Sequence, residues 1–199
     1  MSFKYAVLAA LLEGEASGYE LSKVFDVSLA NFWAATPQQL YRELERLAGE
    51  GLIEARVVRQ ERRPDKRMFT LTDRGRRDLD TFAAAPPRRP TAIRDELLIK
   101  IQAMDGTDPA ATRALIDERE AWASGKLARY LRVRERLLAG RAEEDYLRDN
   151  DRVGPYLTLL AGIALEEENL RWCARVREVL DQRAARDTGQ RPPAQGSTR

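Results

Sequence analysis

The sequence predicts a mainly α-helical protein with one small β-hairpin, in two parts joined by a proline-rich segment. Three observations lead there. Two capping boxes open helices early in the chain, at Ser17-Gly18-Tyr19-Glu20 and Thr36-Pro37-Gln38-Gln39. Two short runs rich in Val, Ile, Phe and Thr, residues 53–59 and 67–71, flank a turn with Pro-Asp chemistry. Beyond Ala84-Ala85-Pro86-Pro87-Arg88-Arg89-Pro90 the pattern is helical throughout, and in the last helix apolar residues recur at three- and four-residue steps.

Residues 3–12 read as a short apolar helix ended near Gly14. Behind the Ser17 box, Leu21, Val24, Phe25, Ser28, Leu29 and Phe32 form one buried face at helical spacing. Thr36 starts a third helix with Pro37 at its first position, where a missing N–H costs nothing. Leu40, Leu44 and Leu47 are its inward face, and Gly49 and Gly51 stop it. The two strands pair as a hairpin across residues 60–66, and Thr72-Asp73 caps a fourth helix reaching about Ala83. Three prolines in five residues then end helical structure and favour extended backbone.

In the second part, Ile93, Leu97, Ile101 and Met104 mark a helix ended by Gly106. Asp108-Pro109 opens a longer helix, and Gly154-Pro155 opens the last. Three helices with this much apolar surface close a core poorly alone and call for a second chain. Leu115, Trp122, Leu127, Leu131, Leu157, Leu165, Trp172 and Val176 are the expected contacts of that dimer. The expected domains are 1–83, a linker 84–91, a helical dimerisation domain 92–185 and a disordered tail 186–199, rich in Gly, Pro, Gln and Ser.

Composition excludes several chemistries. The 199 residues contain no His and one Cys, so there is no His-ligated metal, no imidazole base and no internal disulfide. The acids lie mostly on polar helix faces rather than in clusters suited to acid–base work, so no catalytic residue, metal or cofactor is expected. The longest apolar run, residues 5–12, is far short of a membrane span and lacks signal-peptide flanks, so the expectation is a soluble cytoplasmic protein. Other features have plain structural readings. Phe25, Phe32 and Trp33 are expected in the core and Trp122 and Trp172 in bundle or dimer packing. Cys173 reads as a packed small residue and Asp149-Asn150-Asp151 as a cap cluster before Gly154. Glu166-Glu167-Glu168 reads as a solvated face, since successive helix positions diverge by 100°.

Net charge is +2, and residues 1–83 balance thirteen basic against thirteen acidic side chains, so any case for nucleic acid rests on charge placement. Between residues 56 and 77 stand nine basic residues against Glu61, Asp65 and Asp73. Helix–helix–helix–hairpin is the winged helix–turn–helix arrangement. On its third helix, with Leu40 inward, Gln38 and Arg42 point nearly opposite, Gln39 and Arg46 lie on one flank and Tyr41 on the other. Gln and Arg carry the donors and acceptors that read adenine and guanine edges in the major groove. They stand near the helix N-terminus, the end that enters the groove in this motif. Arg62, Arg63, Lys66 and Arg67 surround Pro64 at the hairpin tip and supply phosphate affinity through counterion release. Glu45, also outward, is expected where the helix has left the DNA backbone.

On these residues the chain resembles PadR-family transcriptional regulators. The likeness is carried by Ala6-Val7-Leu8-Ala9-Ala10-Leu11-Leu12, by Ser17-Gly18-Tyr19-Glu20-Leu21 and by the stretch from Gln39 through Leu47 to Ile53. Arg63-Pro64-Asp65-Lys66-Arg67 and Phe69-Thr70-Leu71-Thr72-Asp73-Arg74-Gly75 complete it over residues 3–83. Arg94-Asp95-Glu96-Leu97-Leu98-Ile99-Lys100 resembles, more loosely, the virulence-activator-like helical domain of one branch. The resemblance implies a homodimer on a palindromic operator, released by a small hydrophobic or aromatic effector. It implies DNA contacts for Tyr41 and Arg42 on the recognition helix, for Tyr19 on the helix before it, and for Lys66 and Arg67 on the wing. Phe69 stands where many members carry Tyr, so a hydroxyl contact is missing there. The leading expectation is a sequence-specific DNA-binding repressor. The competing one is a winged helix that binds protein and shows no duplex preference.

Overall fold

The computed structural model describes residues 2–25, 36–59, 65–86 and 94–189. The expected helix face at Ser28, Leu29 and Phe32, together with Trp33, the hairpin tip with Arg62 and Arg63, most of the linker, and the tail beyond 189 lie outside the described residues. The chain divides into two compact units, Met1–Thr91 and Ala92–Arg199.

The first unit contains α1 (Ser2–Ala10), a 3-10 turn (Leu11–Glu13), β1 (Ala16–Ser17), α2 (Gly18–Val24), α3 (Pro37–Gly49), β2 (Ile53–Val58), β3 (Lys66–Leu71) and α4 (Asp73–Ala84). Both capping boxes are present. Ser17 Oγ accepts from the Glu20 N–H while Glu20 Oε2 accepts from the Ser17 N–H, and Thr36 and Gln39 do the same. The hairpin is antiparallel, with Ile53 opposite Leu71 and Val58 opposite Lys66. Lys66, expected in the turn, begins β3. The two-residue β1 adds a third strand that sequence reasoning missed, pairing Ala16 with Phe69 in the order β1-β3-β2. Leu8, Leu21, Leu40, Leu44, Ile53 and Phe69 sit in one buried core where the helices meet the base of the sheet. Only the base of the hairpin contributes to it: Ile53 and Phe69 are buried, whereas Val57 is exposed. The outer half of the hairpin therefore projects from the unit as a wing.

The second unit is built on two long antiparallel helices, α6 (Pro109–Leu138) and α8 (Gly154–Gly189), about 45 and 54 Å in length. A short α5 (Glu96–Gln102) precedes them, and Arg119 of α6 holds Asp95, the N-cap of α5, with both carboxylate oxygens at 2.7 Å. Between the long helices lies α7 (Glu143–Asp149), an element the sequence reading did not anticipate. Its Tyr146 meets Tyr156 of α8 with ring centroids 5.0 Å apart. Asn150 donates its amide to the Tyr146 carbonyl (2.7 Å), so this part of the expected cap cluster closes α7 rather than opening α8. Ile116, Tyr130, Leu159, Ile163 and Cys173 are buried between the long helices. Among the described residues no helix is long and apolar enough to cross a membrane.

Candidate nucleic-acid interface

Helix α3 is amphipathic along its length. Leu40, Leu44 and Leu47 are buried, and Gln38, Gln39, Tyr41 and Arg42 are exposed. Arg42 makes no ion pair among the described residues, so its fork of donors is available to a partner. Gln39 is more restricted. Its Oε1 accepts from the Thr36 N–H at 2.9 Å, which leaves the amide nitrogen as its outward group. Arg46 is committed within its own helix, because Glu43 and Glu50 both pair with it and hold its guanidinium firmly charged.

Tyr41 is half-exposed and lies against the start of α2: a Cβ added to Gly18 would stand 2.4 Å from its Cε1. The neighbouring Tyr19 is 63% exposed, with Lys23 Nζ 4.5 Å from its ring centroid. The two tyrosines named by the resemblance thus flank the junction of α2 with α3.

The wing is less free than its count of cations suggests. Lys66 Nζ sits 2.9 Å from Glu20 Oε1, Arg67 pairs with Glu45, and Arg56 pairs with Glu15 at 2.6 Å. The guanidinium of Arg67 also lies 5.3 Å from the ring centroid of Phe69. Phe69 is itself buried, so the position that the resemblance reads as a lost hydroxyl contact faces the core. The Ser17 N–H, Lys66 and the Ser17 hydroxyl together hold the Glu20 carboxyl down to about 2. Arg59 on the wing and Arg74, Arg76 and Arg77 at the start of α4 are exposed and make no ion pair among the described residues. Sequence reasoning missed the acidic partners. Glu15, Glu20 and Glu45 lie 41, 46 and 22 residues from the cations they meet, and only the outward placement of Glu45 hinted at one.

In the second unit, Trp122 is 64% exposed, Leu131, Leu157 and Leu165 are exposed, and Leu115, Trp172 and Val176 are half-buried. Leu127 leans on Tyr130, Leu159 and Ile163 of its own chain. Leu98 and Ile99 of α5 add exposed apolar surface. A groove of about 390 Å³ beside Trp122 is lined by Arg119, Lys126, Arg129, Glu166 and Asn169. Glu166 corrects an expectation: Glu167 and Glu168 are exposed, but Glu166 is buried. There it accepts from Asn169 Nδ2 (2.9 Å) and lies 3.3 Å from Lys126 Nζ. Cys173 is fully buried, and burial pushes its thiol up from the usual range.

With this geometry in hand, two family models match the chain: the transcriptional regulator PadR-like family over residues 7–81, and the virulence activator alpha C-terminal model over residues 93–181. A probable transcriptional regulator of Mycobacterium tuberculosis is 31% identical over 192 residues, spanning 92% of this chain and all of that one. The negative transcriptional regulator PadR of Bacillus subtilis is 30% identical over 178 residues, spanning 89% of this chain and 97% of that one. Two crystal structures of the Bacillus protein superpose well. Its complex with operator DNA gives a TM-score of 0.75 at 27% identity, covering 90% of this chain and 99% of that one. Its complex with p-coumaric acid gives 0.68 at 27% identity, covering 91% and 99%.

Proposed function

This chain belongs to the PadR-like family of transcriptional regulators, and from that premise we propose that it is a cytoplasmic, non-enzymatic repressor that binds a palindromic operator as a homodimer. The observation that carries the reading is the outward pair Gln38 and Arg42, on a capped helix whose opposite face is buried leucine. In this motif such a helix lies in the major groove, and a dimer sets two of them about 34 Å apart, one turn of DNA. Residues 1–83 are the DNA-binding domain, 84–91 a linker and 92–185 the dimerisation domain, although α8 runs on to Gly189, four residues into the tail expected at 186–199. Tyr19, Gln38, Gln39, Tyr41 and Arg42 contact DNA from the helices, and Arg62, Arg63, Lys66 and Arg67 contact it from the wing. Exposed Trp122, Leu131, Leu157 and Leu165 support the dimer reading, since unpartnered apolar surface of this kind marks an interface.

A small aromatic or hydrophobic effector acts by favouring dimer shapes that misfit the operator. The relative crystallised with p-coumaric acid supports that choice of ligand class. The groove beside Trp122 offers an aromatic face among Arg119, Lys126, Arg129 and the buried Glu166, which suits a small aromatic compound with polar groups. Selection of bound sites from random duplex DNA tests the core of the proposal. A recovered palindrome is the expected result, and a pool with no enriched sequence would overturn it.

A further inference from the structure

Resting on the reading of the first unit as a DNA-binding module, we propose that Glu45 is a specificity-determining residue: its pair with Arg67 restrains the wing's charge, so that arbitrary duplex is disfavoured more than the operator. Glu45 stands on the outward side of α3, three residues beyond Arg42, with its side chain more than half exposed. A lone carboxylate there would repel any phosphate that approached. It is not alone. Arg67 reaches it from β3, and the same guanidinium lies over the ring of Phe69, which is fixed in the core.

Two consequences follow. First, the charge of Arg67 is balanced in the free chain, so a loosely approaching duplex gains little counterion release from it. Second, Arg67 is tied to the recognition helix itself. A cation on a free tether follows any phosphate backbone, whereas this one is presented only where α3 is already seated. Lys66 and Glu20 repeat the arrangement, but Glu20 also completes the capping box of α2, so changing it would disturb the helix as well. Glu45 makes no other hydrogen bond or ion pair among the described residues, which makes it the cleaner residue to change.

The experiment uses the full chain, the selected operator and a scrambled duplex of equal length, titrated at several salt concentrations. Glu45→Gln should bind the scrambled duplex about threefold or more tightly. Its log–log salt slope on that duplex should steepen by about one phosphate contact. Operator affinity should change less, so the ratio falls. In an Arg67→Gln background the same replacement should have little effect on either duplex, because the residue acts through its partner. Equal gains on both duplexes, or an undiminished gain without Arg67, would show a plain repulsive charge and overturn the proposal. Unaltered ratios would overturn it too. If the unmodified chain fails to distinguish the two duplexes, the DNA-recognition reading itself falls, and this inference with it. Thermal melts of each variant report whether the fold survives.

Discussion

A Cβ on Gly18 would stand 2.4 Å from Cε1 of Tyr41, so the tyrosine ring fills the space that any larger residue at the start of α2 would need. Gly18→Ala should displace that ring and lower operator affinity by about 1 kcal/mol, with a similar or smaller loss of stability. Because both effects run through one side chain, adding Gly18→Ala to Tyr41→Ala should cost little further affinity. Additive losses in that double-mutant cycle would show that the two residues act separately.

Gly75 gives a prediction whose sign opposes helix propensity. It is the third residue of α4, where alanine is ordinarily better by about 1 kcal/mol. Here a Cβ would lie 2.0 Å from the Leu52 carbonyl oxygen, a backbone atom also engaged by Thr72. Gly75→Ala should therefore destabilise the first unit by about 2 kcal/mol in urea denaturation. A more stable variant would mean that α4 can slide away from Leu52.

Acid sensitivity should trace to Glu20. Its carboxyl is held at about 2 against an ordinary 4.5, chiefly by the Ser17 N–H and then by Lys66. A depressed folded-state value means that the stabilisation is present above the ordinary value and is lost as pH falls through the folded one. The stability difference between the parent and Glu20→Gln should be flat at neutral pH and shrink between about 4.5 and about 2. The carboxyl is about half exposed, so solvent screens the effect and the difference will be small. A gap that widens on acidification would contradict the assignment.

Base readout should be lost at Gln38 and Arg42 without general loss of DNA affinity. Replacing either by Ala should lower the operator-to-random ratio by about 1–3 kcal/mol per bidentate contact. The measurement is parallel titration of both duplexes, and equal weakening of the two would exclude direct readout.

Leu157 and Leu165 test the dimer. They lie within about 80° of each other around α8, and both are exposed. Replacing each by Glu should leave helical content unchanged and shift sedimentation toward the monomer. The loss is about 1–2 kcal/mol for each side chain removed from an apolar interface, counted twice by two-fold symmetry. A variant that sediments as the parent does would place the interface elsewhere.

What the sequence made legible was whatever depends on neighbours one helical turn away. The burial of Leu40, Leu44 and Leu47, the outward turn of Gln38 and Arg42, and both capping boxes follow from local spacing. Two elements carry no such signal: β1 has only two residues, and α7, unlike the equally short α2 with its capping box, has no side-chain cap and a single buried position, Tyr146. Partners distant in sequence were invisible for a different reason. Whether Lys66 is a free cation or the partner of Glu20 depends on how β3 lies beside α2, which no local pattern encodes. Glu166 is the sharpest case. Its two successors are solvated, and only the neighbouring α6, with Lys126, explains why it turns inward.

The long helices α6 and α8 are fastened along their length by Arg113 with Asp181, Asp117 with Arg177, Lys126 with Glu166 and Arg134 with Tyr156. Losing or duplicating a single codon in the middle of α6 would rotate everything beyond it by about 100° and shift it by about 1.5 Å. The two ends of this ladder could then never be matched at once. Homologous chains should therefore drift freely in residue identity along these helices while keeping the number of residues between their rungs, and insertions should gather in the turns on either side of α7.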